Sequence, residues 1–356
     1  MRAVRAAIAA GVLLFAATGA LAQPRATFEA RADIAPPTGA APKDFGGLSG
    51  IDYDPTRKRY VVISDDTAQH GPSRFYEATI AVRQAIMRIT ATHPLHNDAG
   101  ALFPRRGAGG EQADGESIRV DPLTGFVLWS SEGDINAGYA PALRWADPDG
   151  AFRNRFPLPA ALLKGVRHNF AYEGMTFTPD GDLWVAPEAP ATQDGPLPSP
   201  EAGALIRLTR LDRFGAVERQ VAYPVDPVWK ATPGKRFELG VSEILRLDDN
   251  RLLVLERAGV EIDGVHWGFH CRLYLADLSK AQEVSNLASL NGADIRLAAK
   301  TLLIDFDATP GGPVGNVEGM TWAPKGRFSP ARLVFVTDNN FDPDWTSELL
   351  VFRFRP

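Results

Sequence analysis

One pattern recurs five times along the chain and restricts its fold more than any other feature. A small or acidic residue leads a short apolar strand, a turn follows, a second apolar strand runs back, and an acidic residue closes the unit. The copies are GLSGIDYDPTRKRYVVISDD (residues 47–66), GESIRVDPLTGFVLWSSEGD (115–134), YEGMTFTPDGDLWVAPEA (172–189), VSEILRLDDNRLLVLERAG (241–259) and NVEGMTWAPKGRFSPARLVFVTDNN (316–340). Self-similarity at this spacing is the mark of a repeat architecture. The strands alternate as in R-L-L-V-L and are bounded by D-P, P-D-G and D-D-N turns, which are hairpin signals.

Each of the first four units reads as four strands, the second as 116–120, 126–130, 142–146 and 151–158. The fifth offers three, at 318–323, 332–336 and 348–354, and then the chain ends. A spare strand lies near the other terminus, at residues 26–34. In a closed ring that strand completes the last unit and removes two free sheet edges. The expected fold is all-β: a β-propeller of about five four-stranded blades, with six as the alternative, closed by the N-terminal strand. Residues 278–290 carry a short helical pattern between the last two units.

Residues 1–22 stand apart. Arg2 and Arg5 precede an apolar stretch at 8–17, and Ala20-Leu21-Ala22 fits a cleavage site before Gln23. This predicts a Sec-type signal peptide cut after Ala22, a periplasmic or secreted protein, and a single domain over residues 23–356. The 38 basic and 43 acidic residues give a net charge of −5, and losing Arg2 and Arg5 lowers it by two. That balance argues against nucleic acid as a partner. No later stretch is apolar enough to span a bilayer. Cys271 is the one cysteine, begins an apolar strand, and reads as a packed thiol. The expected partner is a small molecule and the expected state a monomer.

Within each unit, the start of the first strand lies beside the end of the second. This brings Glu116 to Glu132, Glu173 to Glu188, Glu243 to Glu256, Glu318 to Asp338, and Ser49 to Asp65 and Asp66. First strands line the channel of a propeller, so these acids are expected to meet at one channel mouth. So many carboxylates in one funnel need protons, cationic partners or a metal. Arg74, Arg119, Arg167 and Arg257 are the candidate partners. Hard oxygen donors, with Asn169, Asn339 and Asn340 adding neutral ones, suit calcium. The candidate metal ligands are Asp65, Asp66, Glu116, Glu132, Glu173, Glu188, Glu243, Glu256, Glu318, Asp338 and Asn339. Glu173 and Glu318 are also candidate bases, His168 a proton donor, and Arg257 and Arg74 supports for an anionic substrate. Ser49 lies in G-L-S-G-I, which lacks the second glycine of a nucleophile elbow. His266 and His270 have no acid between them of the H-E-x-x-H kind.

GLSGIDYD with SDD and RFYEATI, SSEGD, NFAYEGMTFTPDGDLWVAPEA with TQDG, LLVLERAG, and NVEGMTW with VTDNNF together resemble the bacterial exported proteins described as esterase-like activity of phytase. The matching segments run from residue 46 to 341. The resemblance implies a propeller similar to the propeller phytases, in which calcium at an acidic channel mouth bridges protein and substrate phosphates. The reading that follows is a calcium-dependent phosphoric or carboxylic ester hydrolase. Its alternatives are a non-catalytic ligand- or partner-binding propeller and a lactonase-type propeller hydrolase.

Overall fold

The computed structural model describes residues 24–326 and 329–356; the expected signal peptide lies outside them. Twenty strands form five four-stranded antiparallel sheets, and the sheets are the blades of a closed ring. Blade one holds β2 (Leu48–Asp54), β3 (Arg59–Ser64), β4 (Arg74–Ala81) and β5 (Ile86–Pro94). Blade two holds β6 (Gly115–Val120), β7 (Val127–Ser131), β8 (Ala142–Ala146) and β9 (Phe152–Arg155). After a one-turn helix α1 (Ala160–Leu163), blade three holds β10 (Tyr172–Phe177), β11 (Leu183–Pro187), β12 (Ala204–Leu211) and β13 (Val217–Val225). Blade four holds β14 (Phe237–Arg246), β15 (Arg251–Glu261), β16 (Trp267–Asp277) and β17 (Ala299–Asp305). Blade five holds β18 (Asn316–Trp322), β19 (Ala331–Asp338) and β20 (Glu348–Arg355), and β1 (Arg25–Asp33) pairs with β20 as its outer strand. The ring thus closes as the three-stranded last unit requires, with Arg25 opposite Arg355 and Asp33 opposite Glu348.

Every blade is covered on both faces by its neighbours, so its inner strands are nearly continuous apolar runs; Leu252, Leu253, Val254 and Leu255 are all buried. One apolar cluster fills each seam. Val61, Ile63 and Phe75 of blade one meet Ile118, Val127 and Trp129 of blade two, and Leu128 and Leu143 of blade two meet Met175 and Val185 of blade three. The segment at 278–290 is not helical. Leu278, Val284 and Leu290 are buried, and the Glu283 carboxylate accepts from the Gln220 backbone N–H at 3.1 Å. Tying this backbone to blade three outweighs the weak helical pattern. Among the described residues, no helix is long and apolar enough to cross a membrane.

The channel is plugged. Arg119 on β6 is almost fully buried, and its guanidinium donates to the carbonyl oxygens of Ile51, Ile118, Met175 and Ile244, one from each of four inner strands. It also pairs with Glu243 of blade four. The Glu243 carboxylate accepts from Met175 N–H at 3.1 Å, from Ile244 N–H at 2.9 Å and from the Ser117 hydroxyl at 3.3 Å. Close approach of the inner strands depends on glycine at positions 50 and 174. A Cβ at Gly50 would stand 2.8 Å from the Glu116 carbonyl oxygen, and one at Gly174 would stand 3.0 Å from the Ile244 nitrogen.

Replacing one partner of such a pair strands the other charge in the interior. Arg119→Met is expected to lower folding stability by about 3–5 kcal/mol, and adding Glu243→Gln to recover part of it. Denaturant titration measures both, and a change in Arg119→Met smaller than about 1 kcal/mol would contradict the axial role.

Candidate functional site

In every blade the first hairpin carries a β-bulge at the channel mouth. Register shifts fall between Leu48 and Gly50, Gly115 and Ile118, Tyr172 and Gly174, Val241 and Glu243, and Val317 and Gly319. A bulge leaves one residue unpaired and re-aims its side chain. The skipped residues are Ser49, Glu116 (with Ser117), Glu173, Ser242 and Glu318. On the second strand, one position beyond the partner of the residue that precedes each bulge, stand Asp65, Glu132, Glu188, Arg257 and Asp338. The mouth is therefore a ring of seven carboxylates, two serines and a single arginine, contributed by equivalent positions of the five blades.

Blade four departs from the expected alignment by one residue. Val241 lies opposite Glu256, so Ser242, not Glu243, takes the bulge position, and Arg257, not Glu256, follows at the mouth. A one-residue slip sends a strand's side chains to the opposite face. Glu243 is thus corrected from mouth ligand to axial partner of Arg119; burial pushes its carboxyl up to about 7 against the pull of that arginine. Glu256 is likewise placed away from the mouth. It receives hydrogen bonds from Tyr223 at 2.7 Å and Lys300 at 2.5 Å at the seam with blade three. The motif carried a signal of this slip: glycine follows the marker acid in Y-E-G-M and V-E-G-M but not in S-E-I-L.

Three further expected site residues are committed elsewhere. Both Asp66 oxygens accept from the N–H groups of its own loop, and one also accepts from Arg74 at 2.7 Å. Arg74 spends its remaining donors on Tyr76, Pro72 and Asp44, so it braces the loop after β3 and does not reach a ligand. The Asn339 amide oxygen accepts from the N–H groups of Gly47 and Phe341, both at 3.2 Å, which takes both of its lone pairs. His168 lies in an adjoining recess with Arg106 and Gly107, 4.0 Å from Asp134 and exposed. Arg167 donates to the carbonyl oxygens of Pro190 and Gly195 and meets no acid. Ser49 is buried and donates to the Gly115 carbonyl at 2.8 Å. Cys271 is buried as well, and burial pushes its thiol up to about 12.

The mouth opens as a pocket of about 440 Å³ lined by Asp65, Asp66, Glu116, Glu132, Glu173, Glu318 and Arg257. It also holds residues that sequence reasoning missed: Asp114, Glu238, Arg106, His70, Trp267, Phe269 and Phe341. Asp114 sits one position ahead of the second unit. Trp267 and Phe269 come from the β15–β16 hairpin, where both strands are eleven residues long. Their i, i+2 spacing was the available clue to a shared face.

Electrostatics at the mouth are dominated by buried like charges. Two groups of three carboxylates, Asp114–Glu116–Glu132 and Glu132–Glu173–Glu188, each bring ligand oxygens within 4.8 Å of one another. Burial, with the neighbouring acids adding to it, holds Asp65, Glu116 and Glu173 well above the ordinary carboxylate range. Burial and Glu188 push Glu132 up to about 8, and burial and Asp338 push Glu318 up to about 8. Burial raises Glu188 to about 7 and Asp338 to about 6. Arg257 relieves part of this. It donates to Glu188 at 2.7 Å and stands 3.5 Å from Glu318, 3.7 Å from Glu238 and 3.9 Å from Glu173. Three buried oxygens on β18 and β19 find no hydrogen-bond partner among the described residues: Oε2 of Glu318, Oδ2 of Asp338 and Oδ1 of Asn316. Unpartnered buried acceptors are costly unless a proton or a cation meets them. The donor set is all oxygen, which fits calcium and disfavours the thiolate- and imidazole-seeking metals.

A family model described as "Phytase-like: Esterase-like activity of phytase" matches residues 43–341. No curated protein matches the chain. Among solved structures, an exo-1,5-α-L-arabinanase from a bovine ruminal metagenomic library shares 10% identity, with 86% of this chain and 92% of that one covered and a TM-score of 0.44. The N-terminal domain of Nup159 shares 10% identity over 94% of this chain and 96% of that one, with a TM-score of 0.34. At such overlap neither bears on what the chain does.

Acids whose folded pKa is raised favour the folded state while protonated, and that contribution is lost as pH climbs through the folded value. For Asp114 and Asp338 near 6, Glu188 near 7, and Glu132 and Glu318 near 8, the window runs from mildly acidic to mildly alkaline. In EDTA, the melting temperature is therefore expected to fall between about pH 5 and about pH 8. A higher melting temperature at the alkaline end would refute the raised values.

Proposed function

The chain belongs to the phytase-like family, and from that premise we propose that it is an exported, monomeric, calcium-dependent ester hydrolase working at the acidic mouth of its propeller. The observation that carries this reading is the carboxylate ring with its unpartnered buried oxygens, a donor set that asks for a hard cation. Export is supported by the N-terminal pattern of Arg2, Arg5 and the apolar stretch before Ala22. Glu116, Glu132, Glu173 and Glu318, with Asp65, Asp114 and Asp338, are the residues that would hold calcium. Bound among them, calcium would supply polarisation of a phosphoryl or carbonyl oxygen.

The chain's own side chains divide the remaining work. Glu173 and Glu188 bring carboxylate oxygens within 4.8 Å of one another and both are held above the ordinary carboxylate range by burial, so the pair can take up or release a proton beside the ester. Arg257, in the midst of the acids, offsets part of their negative charge beside the ester. His70 lines the mouth where His168 does not, and it is the better placed histidine to give a proton to the departing alcohol. The Arg119–Glu243 plug closes the floor, so substrate and water enter from one side only.

Hydrolysis of p-nitrophenyl phosphate and p-nitrophenyl acetate, each with calcium and with EDTA, tests the proposal. Turnover of at least one ester with calcium and not with EDTA is expected, and no turnover in any condition would leave a ligand-binding propeller. Glu318→Gln is expected to lower the calcium-dependent rate by about a hundredfold or more without loss of fold. Full activity in that variant would remove Glu318 from the site.

Calcium must displace protons from these acids before it binds. It is therefore expected to raise the melting temperature clearly near pH 8 and little near pH 5. Equal shifts at both pH values would place the ion elsewhere.

A further inference from the structure

The mouth carries more than acids. Both three-carboxylate groups stand on blades two and three and the segments that lead into them. Blades four, five and one supply Glu238, Glu318, Asp65 and Asp66 and, beside them, Trp267 and Phe269 from β16, Phe341 from the loop after β19, and His70 from the loop after β3. His70 and Phe341 lie face to face, with ring centroids 4.1 Å apart and planes 2° from parallel. Phe269 is braced edge-on by Trp345, with centroids 5.6 Å apart at 89°. The four rings are the aromatic part of a lining that is otherwise polar.

Backbone conformation gives a second, independent observation. Asn340 and Phe341 are consecutive residues in the left-handed region, with φ of 50° and 53°, and Ala68, in the loop that carries His70, has φ of 59°. Asparagine tolerates that region; phenylalanine does not adopt it without strain. Strain of this kind persists where the surrounding structure enforces it, and here it sets the Phe341 ring against the imidazole.

The charge inventory points the same way. The lining arginines are Arg106 and Arg257, and both are already committed: Arg106 lies 3.3 Å from Asp114, and Arg257 is held by Glu188. A densely phosphorylated polyol would depend on calcium held by the lining carboxylates, since both guanidinium groups are taken by acids, and would gain nothing from the aromatic side chains. A flat ring gains from stacking and from leaving water.

We infer that the substrate is an ester with an aromatic ring next to the scissile group, and that Trp267 and Phe341 set this specificity. The ring lies on the aromatic side chains of blades four, five and one, and the ester faces the carboxylates, Glu318 among them. The inference rests on the hydrolase reading only for the word ester; the ring preference is a binding property and can be measured without turnover.

The test uses two pairs of non-hydrolysed probes: phenylphosphonate with methylphosphonate, and acetanilide with N-methylacetamide. Calorimetric titration into the calcium-supplemented protein should show the phenyl member of at least one pair binding about tenfold more tightly. Trp267→Ala and Phe341→Ala, both at partly exposed positions, should each cut that preference severalfold. Methyl-probe affinity and melting temperature should stay unchanged in both variants. Equal binding of both members in both pairs, no binding of either phenyl probe, or an unaltered preference in both variants would overturn the inference. So would tighter binding of myo-inositol hexakisphosphate than of phenylphosphonate. If calcium-dependent ester turnover persists while no ring preference is found, the aromatic inference falls alone. A ring preference without any turnover removes the hydrolase reading and leaves the aromatic inference in place.

Discussion

A ring of sheets has to close, and here it closes through the pairing of β1 with β20. That contact joins residues more than three hundred positions apart in the chain, from Arg25 with Arg355 to Asp33 with Glu348. It completes blade five, removes two open sheet edges, and lets the apolar seams run around the whole ring. Closure also forces five inner strands onto one axis. Once they converge, one position in the repeat becomes one place in space, and a modest sequence signature becomes a ring of seven carboxylates.

Convergence creates an electrostatic problem that the molecule resolves at two depths. On the axis, Glu243 and Arg119 neutralise each other and share their hydrogen bonds with the backbone of four inner strands. Their desolvation is offset because little of either group is left unpaired. At the mouth the balance is left unfinished. One arginine faces four carboxylates, and three oxygens nearby have no partner among the described residues. The site is poised for a proton or a hard cation, and the contrast with the satisfied plug beneath it argues for a use beyond holding the blades together.

The mouth also has sides. Both three-carboxylate groups stand on blades two and three, while the aromatic rings come from blades four, five and one, beside Asp65, Asp66, Glu238 and Glu318. Such asymmetry does not arise from the repeat, which would give every blade the same residues. It comes from places where the repeat is broken: the long β15–β16 hairpin, the strained loop after β19, and the loop after β3 that Arg74 pins to Asp66. Symmetric positions supply the shared chemistry, and the departures from symmetry supply selectivity.

Much of this was legible in the chain alone. Periodic hairpins, turn residues at fixed offsets and a short last unit determined an all-β propeller of about five blades with an N-terminal closing strand; the five sheets of the structure removed the six-bladed alternative. Those are local signals, and strand alternation reports burial directly. The acids at Asp65, Glu116, Glu132, Glu173, Glu188, Glu318 and Asp338 were legible for the same reason, since a repeat position maps to a ring position. Tertiary structure alone decided the rest. A one-residue slip in blade four exchanged Glu243 and Glu256 for Ser242 and Arg257, and the bulge register that sets this is fixed by contact with neighbouring strands. Whether an acid is free or spent, as Asp66 is on Arg74, depends on hydrogen bonds across the fold. Phe341 and His70 come from loops outside the repeat, and Trp267 and Phe269 from the start of the long strand β16, and only the closed ring brings these distant segments to one mouth.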